Sequence, residues 1–550
     1  MNFETLATEC RSAAFRESLG ISPVWTEAAE TIKELMHELQ DQIKAAVPKT
    51  NCKVNMQDAE SIDEDDDGLN YTFYVDSKDP TAEELHHELL PSNPIVEDSK
   101  RMTSQVKDLT AVFRFLRNAC AACTNNQNAC LNVGAHEVVM HCCHWVDVED
   151  ETLKTEIILL AQVVLQFCVN GVAKNVKNQE VIWMLFFPDK FQKILVECHR
   201  HRKVIAFTVA LMLNCFNLDS SVATEIERIV ARRVDLVCAR NLLITILHRC
   251  IQGPFKSSES SVSVISVPHI DDQDPAFDWI CMLFGVLFND GRTKHLYTAV
   301  GAHILSQLWS RVTPEQLILL RMFRMWAIST LNSTCIKQQQ PPPGIFEFVK
   351  STWLYIVTEG DEDRPIEGDE VRKKVWIGLE NDAKLMLLDV FGELTVDYAK
   401  ISPDGATDLL QSLVKELHRV WKRERTEDRR HIGSTLQSSN DEPWGYRSAL
   451  IRVIGNLCYR QKEHQDFIRE NGYLSLFLNH CNVDETNPMI REWSLVALRN
   501  LCEQNVDNQK FIEALRPQGI DEDSNVALEK ANMHADIGED GKVLLSKNDR

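Results

Sequence analysis

Glycine and proline are scarce in this chain, 21 and 18 among 550 residues. That excludes collagen-like and low-complexity architectures and favours long helices joined by short turns, since these two residues break helices most readily. Strand signals are almost missing. Alternation of apolar and polar residues is brief, at Val262-Ser263-Val264-Ile265-Ser266-Val267 and at Lys542-Val543-Leu544-Leu545. Neither run is long enough to build a sheet domain. Basic residues are in deficit, 59 against 81 acidic, which leaves a net charge of −22. Such a charge repels phosphate backbones and anionic lipid, so no nucleic acid partner is expected, and basic proteins or segments are the more natural ligands. The longest apolar run, residues 279–288 with one glycine, is about half the length that spans a bilayer, so no membrane insertion is expected. The opening Met1-Asn2-Phe3-Glu4-Thr5 has no basic stretch and no apolar core, and does not read as a signal peptide. Phosphate-loop, nucleophile-elbow and zinc-protease motifs are all missing from the sequence, so it predicts no enzyme and no cofactor.

What is present is apolar and helical. Hydrophobic residues make up 44% of the chain, enough for an extensive core. Cysteine is abundant, 17 residues scattered through apolar helical text. With no export signal, this usage fits a reducing cytosol in which buried thiols act as small hydrophobes. Cys120-Ala121-Ala122-Cys123 and the nearby His141-Cys142-Cys143-His144 could together supply four zinc ligands. Both lie inside helical text without a second C-x-x-C, and core and surface positions explain them more simply. A cysteine-rich metal-binding or redox protein is therefore kept only as an alternative.

One short phrase is written four times. It reads Arg117-Asn118-Ala119-Cys120 with Gln127, Gly455-Asn456-Leu457-Cys458 with Gln465, and Arg499-Asn500-Leu501-Cys502 with Gln509. A weaker copy is Asn170-Gly171-Val172-Ala173 with Gln179. Each Asn–Gln pair is nine residues apart, and an aliphatic stretch leads into each Asn. Asn456 and Asn500 are 44 apart and Asn118 and Asn170 are 52 apart. Periods of this size mark helical repeats, and the predicted fold is an all-α armadillo/HEAT-like α-solenoid of stacked layers. The organisation expected is an N-terminal helical region with an acidic loop (1–105), armadillo-like repeats (106–251), central helical repeats (276–423), a C-terminal repeat pair (445–516) and an acidic, loosely held tail (517–550). Acidic runs at 63–67 and 361–363 read as solvated loops, and 252–275, 338–344 and 425–443 as linkers.

Around the phrase, Leu450, Val453, Ile454 and Leu457 form one apolar stripe, and Phe113, Leu116 and Cys120 form another. Arg452 lies one turn before Asn456, as Arg114 does before Asn118. The Asn126-Gln127 and Asn508-Gln509 pairs stand where they can cap the next helix or bond exposed carbonyls. That next helix is expected to end near Gly134, Gly472 and Gly519, where a left-handed residue costs least. The repeated asparagines then have two readings. They either bond the backbone of an adjacent layer or face a groove and clamp a partner. The second makes Arg114, Asn118, Asn170, Arg452, Asn456 and Asn500 candidate protein-binding residues. In peptide-binding armadillo proteins a groove Trp precedes the Asn by one turn. Here Arg114, Gln166, Arg452 and Val496 stand there instead, which argues against a transport receptor for basic peptides, the other alternative.

Phe113-Arg114-Phe115-Leu116-Arg117-Asn118-Ala119-Cys120 followed by Asn126-Gln127-Asn128 resembles the N-terminal armadillo-like motif of the ataxin-10 family. The run Leu450-Ile451-Arg452-Val453-Ile454-Gly455-Asn456-Leu457-Cys458-Tyr459 is similar to that family's C-terminal domain. So are Asn479-His480-Cys481-Asn482-Val483-Asp484, Asn487-Pro488, Glu492-Trp493 and Ala497-Leu498-Arg499-Asn500-Leu501. The resemblance implies a non-catalytic cytosolic scaffold that acts in signalling, in cytokinesis and cilium-base organisation, and in neuronal survival or neurite outgrowth. It implies perinuclear, midbody or cilium-base localisation. Its implied partners are a G-protein β subunit, the O-linked N-acetylglucosamine transferase and further copies of the chain.

Overall fold

Apolar residues at helical spacing must be covered on one face, and here the stripe of each long helix is covered by the corresponding helix of a neighbouring layer. The computed structural model describes residues 2–20, 23–46, 94–216, 222–250, 274–301, 310–332, 344–357, 370–396, 406–431, 442–515, 526, 528–538 and 543–547. Among them are 23 helices and one two-stranded sheet. The expected loops at 63–67 and 361–363, the linkers at 252–275 and 338–344 but for their last residues, and Gly519 fall outside these residues, whereas 425–431 of the linker expected at 425–443 is helical, the end of a helix that runs to His431. Two compact units emerge, Met1–Gln252 with Ile270–Leu283 and Gly253–His269 with Phe284–Arg550.

The first unit opens with α1 (Phe3–Glu9), α2 (Ala13–Leu19), α3 (Val24–Ala46), α4 (Pro94–Ala119), α5 (Thr124–Ala129) and α6 (Ala135–Trp145). It continues with α7 (Glu151–Val172), α8 (Val176–Phe186), α9 (Asp189–Glu197), α10 (Arg202–Asn214), α11 (Ala223–Cys238) and α12 (Arg240–His248). Helix α13 (Pro275–Asn289) is shared between the units. Helix α4 packs between α1 and α7, and α7 between α4 and α10. The expected boundary at 105/106 falls inside α4. Phe113, Phe115, Leu116, Ile157, Leu160 and Val164 are buried. Phe113 meets Phe167 at 5.8 Å between ring centroids, and Phe115 meets Phe3 at 5.7 Å and Trp25 at 5.8 Å. Helix α7 is long and apolar enough to cross a bilayer by composition alone, and its place between two other helices accounts for that apolarity. Its start is fixed by Asp150, whose carboxylate accepts from the Thr152 and Leu153 amides at 2.8 and 2.9 Å.

The second unit contains α14 (Thr293–Val300), α15 (Pro314–Asn332), α16 (Ile345–Ile356), α17 (Glu370–Leu394) and α18 (Thr407–His431). It continues with α19 (Tyr446–Cys458), α20 (Lys462–Glu470), α21 (Leu474–Asn479), α22 (Ile490–Cys502) and α23 (Val506–Ala514). Helix α17 packs on α15 and α19, and α19 on α22. Leu450, Val453, Ile454 and Leu457 are all buried, as their spacing requires. Gly455 sits where α19 and α22 come closest. A Cβ there would lie 3.0 Å from the Ala497 Cβ and 3.1 Å from its Cα, so an added methyl would press Ala497 aside by a few tenths of an ångström.

Two details differ from expectation. Gly134 does not close α5, which ends at Ala129; it stands in the left-handed region, φ 77°, at the start of α6. Four residues separate α5 from Gly134, so the glycine serves the following turn. Gly472, at φ 74°, does follow the end of α20, just past its C-cap Asn471. The tail also holds an antiparallel hairpin, β1 (Met533–Ile537) against β2 (Val543–Lys547), with Ala535 opposite Leu545. Five residues per strand are legible only as a weak alternation in the sequence, and pairing supplies the rest.

Candidate functional site

The repeated phrase builds a ladder of amides across consecutive layers. The Asn170 side chain donates to the Arg117 carbonyl at 2.9 Å, and Asn500 to the Gly455 carbonyl at 3.0 Å. Each acceptor is the residue just before the previous layer's asparagine. Asn118 donates to the Ala7 carbonyl on α1 at 2.7 Å. Asn456 reaches α17, donating to the Thr395 hydroxyl at 3.1 Å and the Gly392 carbonyl at 3.4 Å. A further member, Asn214, donates to the Val169 carbonyl at 3.2 Å. It stands 44 residues after Asn170, the same interval as between Asn456 and Asn500, and that spacing is the signal that could have revealed it. Asn500 is buried and the other asparagines are half-buried. The ladder is therefore the layer-to-layer bonding that the first of the two readings describes.

The glutamines nine residues on are hubs of the same network. Gln127 donates to the carbonyls of Cys120 (3.2 Å), Asn170 (2.8 Å) and Ala173 (3.2 Å). Gln465 donates to Cys458 (3.2 Å), Asn500 (2.9 Å) and Glu503 (3.2 Å). Each thus bonds the end of its own layer and the end of the next. Carbonyls at a helix end have no intrahelical partner, and a buried unpaired carbonyl is costly, so these amides hold the turn as well as the stack. The glutamine oxygens are also used. They accept from Asn175, Asn505 and, for Gln179, Arg232. The preceding residues Asn126, Asn178 and Asn508 donate to Ala119, Gly171 and Leu501, and His464 faces Leu457 in the same way. Four residues past each ladder asparagine the chain turns through a left-handed residue, Ala122 (φ 53°), Lys174 (57°), Arg460 (55°) and Gln504 (59°). None is glycine, and each such position costs about 1 kcal/mol or more, which the buried amide bonds offset.

The arginines one turn before the asparagines differ between the units. Arg452 pairs with Glu393 at 2.7 Å and lies 5.5 Å from the Trp493 ring. Arg114 is half-buried beside Arg117, which bonds the Gln166 side chain at 2.6 Å and the Asn118 oxygen at 3.1 Å. Burial, with Arg114 as the second cause, pulls the Arg117 guanidinium below its ordinary range.

The described cysteines are free and mostly buried. Cys120 Sγ lies 3.0 Å from Cys130 Sγ, and Cys143 Sγ 3.7 Å from Cys198 Sγ. Burial pushes Cys168 and Cys215 up to about 12, so neither is a ready nucleophile near neutral pH. His141 faces Gln40 and His144 faces Lys193. Among the described residues no group of three metal-ligating side chains converges.

At one edge of the second unit, two loops are clamped together. Arg447, buried, pairs with Glu442 at 3.0 Å and Asp484 at 3.1 Å. The Gly445 amide donates to the Thr486 carbonyl at 2.8 Å, and the Ser448 hydroxyl to Pro488 at 2.8 Å. From these loops Trp444, Val483 and Met489 stand 69%, 82% and 58% exposed. Met489 is held at φ 63°, uncommon for an unbranched apolar residue.

These features define an all-α protein of armadillo-like helical repeats. Residues 446–546 match the family model described as "Spinocerebellar ataxia type 10 protein domain". Ataxin-10 of Homo sapiens and of Pongo abelii are each 27% identical over 480 residues, 84% of this chain and 88% of theirs. The ataxin-10 homolog of Dictyostelium discoideum is 43% identical over 99 residues, 18% of this chain and 16% of that protein. The chain is thus similar to ataxin-10 along most of its length, and its C-terminal repeats match the domain model of that family.

Proposed function

We propose that the chain is a non-catalytic interaction scaffold of the ataxin-10 type. The observation that carries this reading is the clamped edge at Trp444, Val483 and Met489, where large apolar side chains stand in solvent on backbone fixed by buried ion pairs and amide bonds. Preorganised, exposed aromatic and aliphatic side chains are what binding hot spots require, because little ordering entropy remains to be lost. Arg114, half-buried and without an ion pair among the described residues, is the next candidate for partner contact, whereas Arg452 is held by Glu393 and Trp493. The asparagines act behind them by holding the layers.

Family resemblance supplies the partner classes: a G-protein β subunit, the O-linked N-acetylglucosamine transferase, or another copy of the chain. It also supplies the setting, a cytosolic scaffold in signalling, cytokinesis or cilium-base organisation, and neuronal survival or neurite outgrowth, at perinuclear, midbody or cilium-base sites. The test is direct binding of the purified full chain to each of the two named partners. Trp444→Ser with Val483→Ser should abolish the interaction while leaving the melting curve in place. Binding that survives both substitutions would remove the edge from the reading, and failure of both partners to bind would remove the partner classes.

A further inference from the structure

We propose that the face of α4 centred on Arg114 and Arg117 binds an acidic segment of a partner protein. Lys100, Lys107 and Arg114 are seven residues apart on α4, and helical geometry puts them on one stripe with Arg117 a turn further on. Lys107 is neutralised in part by Glu156 at 3.6 Å. Among the described residues, neither Arg114 nor Arg117 forms an ion pair. Arg117 is instead oriented by neutral oxygens, those of Gln166 and Asn118. Two like charges are thus held together in a partly desolvated position, an arrangement that costs free energy and that a carboxylate would relieve.

The fold does not impose this arrangement. The matching arginine of the second unit, Arg452, has its carboxylate built in as Glu393 and its face covered by Trp493. The opening in the first unit is local to Arg114 and Arg117. It also runs against the whole-chain charge of −22, so it is not a by-product of a basic composition. A guanidinium presents donors in a planar fork matched to carboxylate, and Arg117 directs two of its donors at Gln166 and Asn118, which leaves others free. Lys107 and Arg114 are about 10 Å apart along the helix, a span that about three residues of extended peptide cover. An extended segment with acidic residues about three positions apart meets both cations. A nucleic acid carries charge far beyond this short stripe, onto a surface that is negative overall.

This inference rests on the scaffold reading only for the premise that the chain binds proteins. The probe is a fluorescein-labelled ten-residue peptide with Asp at every third position and Ser between, titrated with the full chain by anisotropy. Binding is expected, weakening as salt is raised. Arg114→Gln with Arg117→Gln should weaken it by about tenfold or more, as for loss of oriented charge pairs. Arg114→Lys with Arg117→Lys should retain most of it, which separates lost charge from lost folding, and Arg452→Gln should leave it unchanged. A wild-type chain that ignores the peptide, a glutamine double variant that binds it equally well, or an oligothymidylate that binds as tightly would each overturn the proposal. Partner binding through Trp444 would survive all three outcomes, so this failure and failure of the scaffold reading are distinguishable.

Discussion

The segment from α4 to α8 in the first unit and the segment from α19 to α23 in the second carry the same bonds on different sequences. Gln127 and Gln465 each bond three carbonyls at matching positions, and Asn175 and Asn505 each donate to the glutamine oxygen while capping their own helix. What differs is the residue before the ladder asparagine, Arg117 in one and Gly455 in the other, and with it the approach of the next helix. At Gly455 the neighbouring helix sits against the backbone, whereas at Arg117 a guanidinium leaves the helix face. The amide network therefore sets where the layers bond, and the preceding residue sets how close they lie and what charge they show.

The comparison breaks most visibly at the hubs. Gln127→Leu and Gln465→Leu each remove the side-chain donor from three carbonyls, of which Cys120, Asn170 and Cys458 keep only a long backbone bond. The expected loss is on the order of 3 kcal/mol of local stability in each unit, since one unsatisfied buried group costs about 1–3 kcal/mol. Hydrogen exchange read by mass spectrometry should accelerate around α5 and α8 for the first and around α20 and α23 for the second. A large effect in one unit and none in the other would mean that the two networks are alike in geometry only.

The glycines sharpen it next. Gly455→Ala overpacks against Ala497, at a cost of about 1–3 kcal/mol, and recovers about 1 kcal/mol of helix propensity. A net loss of roughly 1 kcal/mol is expected by denaturant titration. Gly171 follows its ladder asparagine in α7 and has nothing within 4 Å of the added Cβ. Gly171→Ala should stabilise by up to about 1 kcal/mol. Equal signs for the two substitutions would contradict the difference in layer approach.

Last comes an acid limb in the second unit, at the buried Glu416 carboxyl. Burial raises the Glu416 carboxyl, but the Arg419 hydrogen bonds, Lys384 and the Tyr446 hydroxyl outweigh it and hold the group at about 2. A depressed folded value means the carboxylate contributes stability above its unfolded pKa of about 4.5, and that contribution fades as pH falls toward 2. Glu416→Gln should flatten the loss of stability between about pH 4.5 and 2, measured by urea titration across that range. An unchanged acid limb would place its origin elsewhere.

The stripes of Phe113, Leu116 and Cys120, and of Leu450, Val453 and Leu457, were legible because burial enforces a helical period on apolar residues. The asparagine and glutamine positions were legible as a nine-residue spacing, and the network explains that spacing as one turn of chain between two helix ends. Asn214 escaped because the glutamine expected at its ninth following position is replaced by Ala223. The adjacent Cys215 carbonyl is taken instead by the Arg232 guanidinium, 17 residues away in sequence.

Sequence alone determined the helical class, the repeat and the positions of its polar residues, because those follow from periodicity along a single chain. Whether each asparagine bonded a neighbour or a ligand, which arginine found a carboxylate, and how close α22 could lie to α19 were decided only in three dimensions. Those outcomes depend on which carbonyl, carboxylate or Cβ another layer brings within reach, and residues far away in sequence, up to 111 positions for Asn118, supply them.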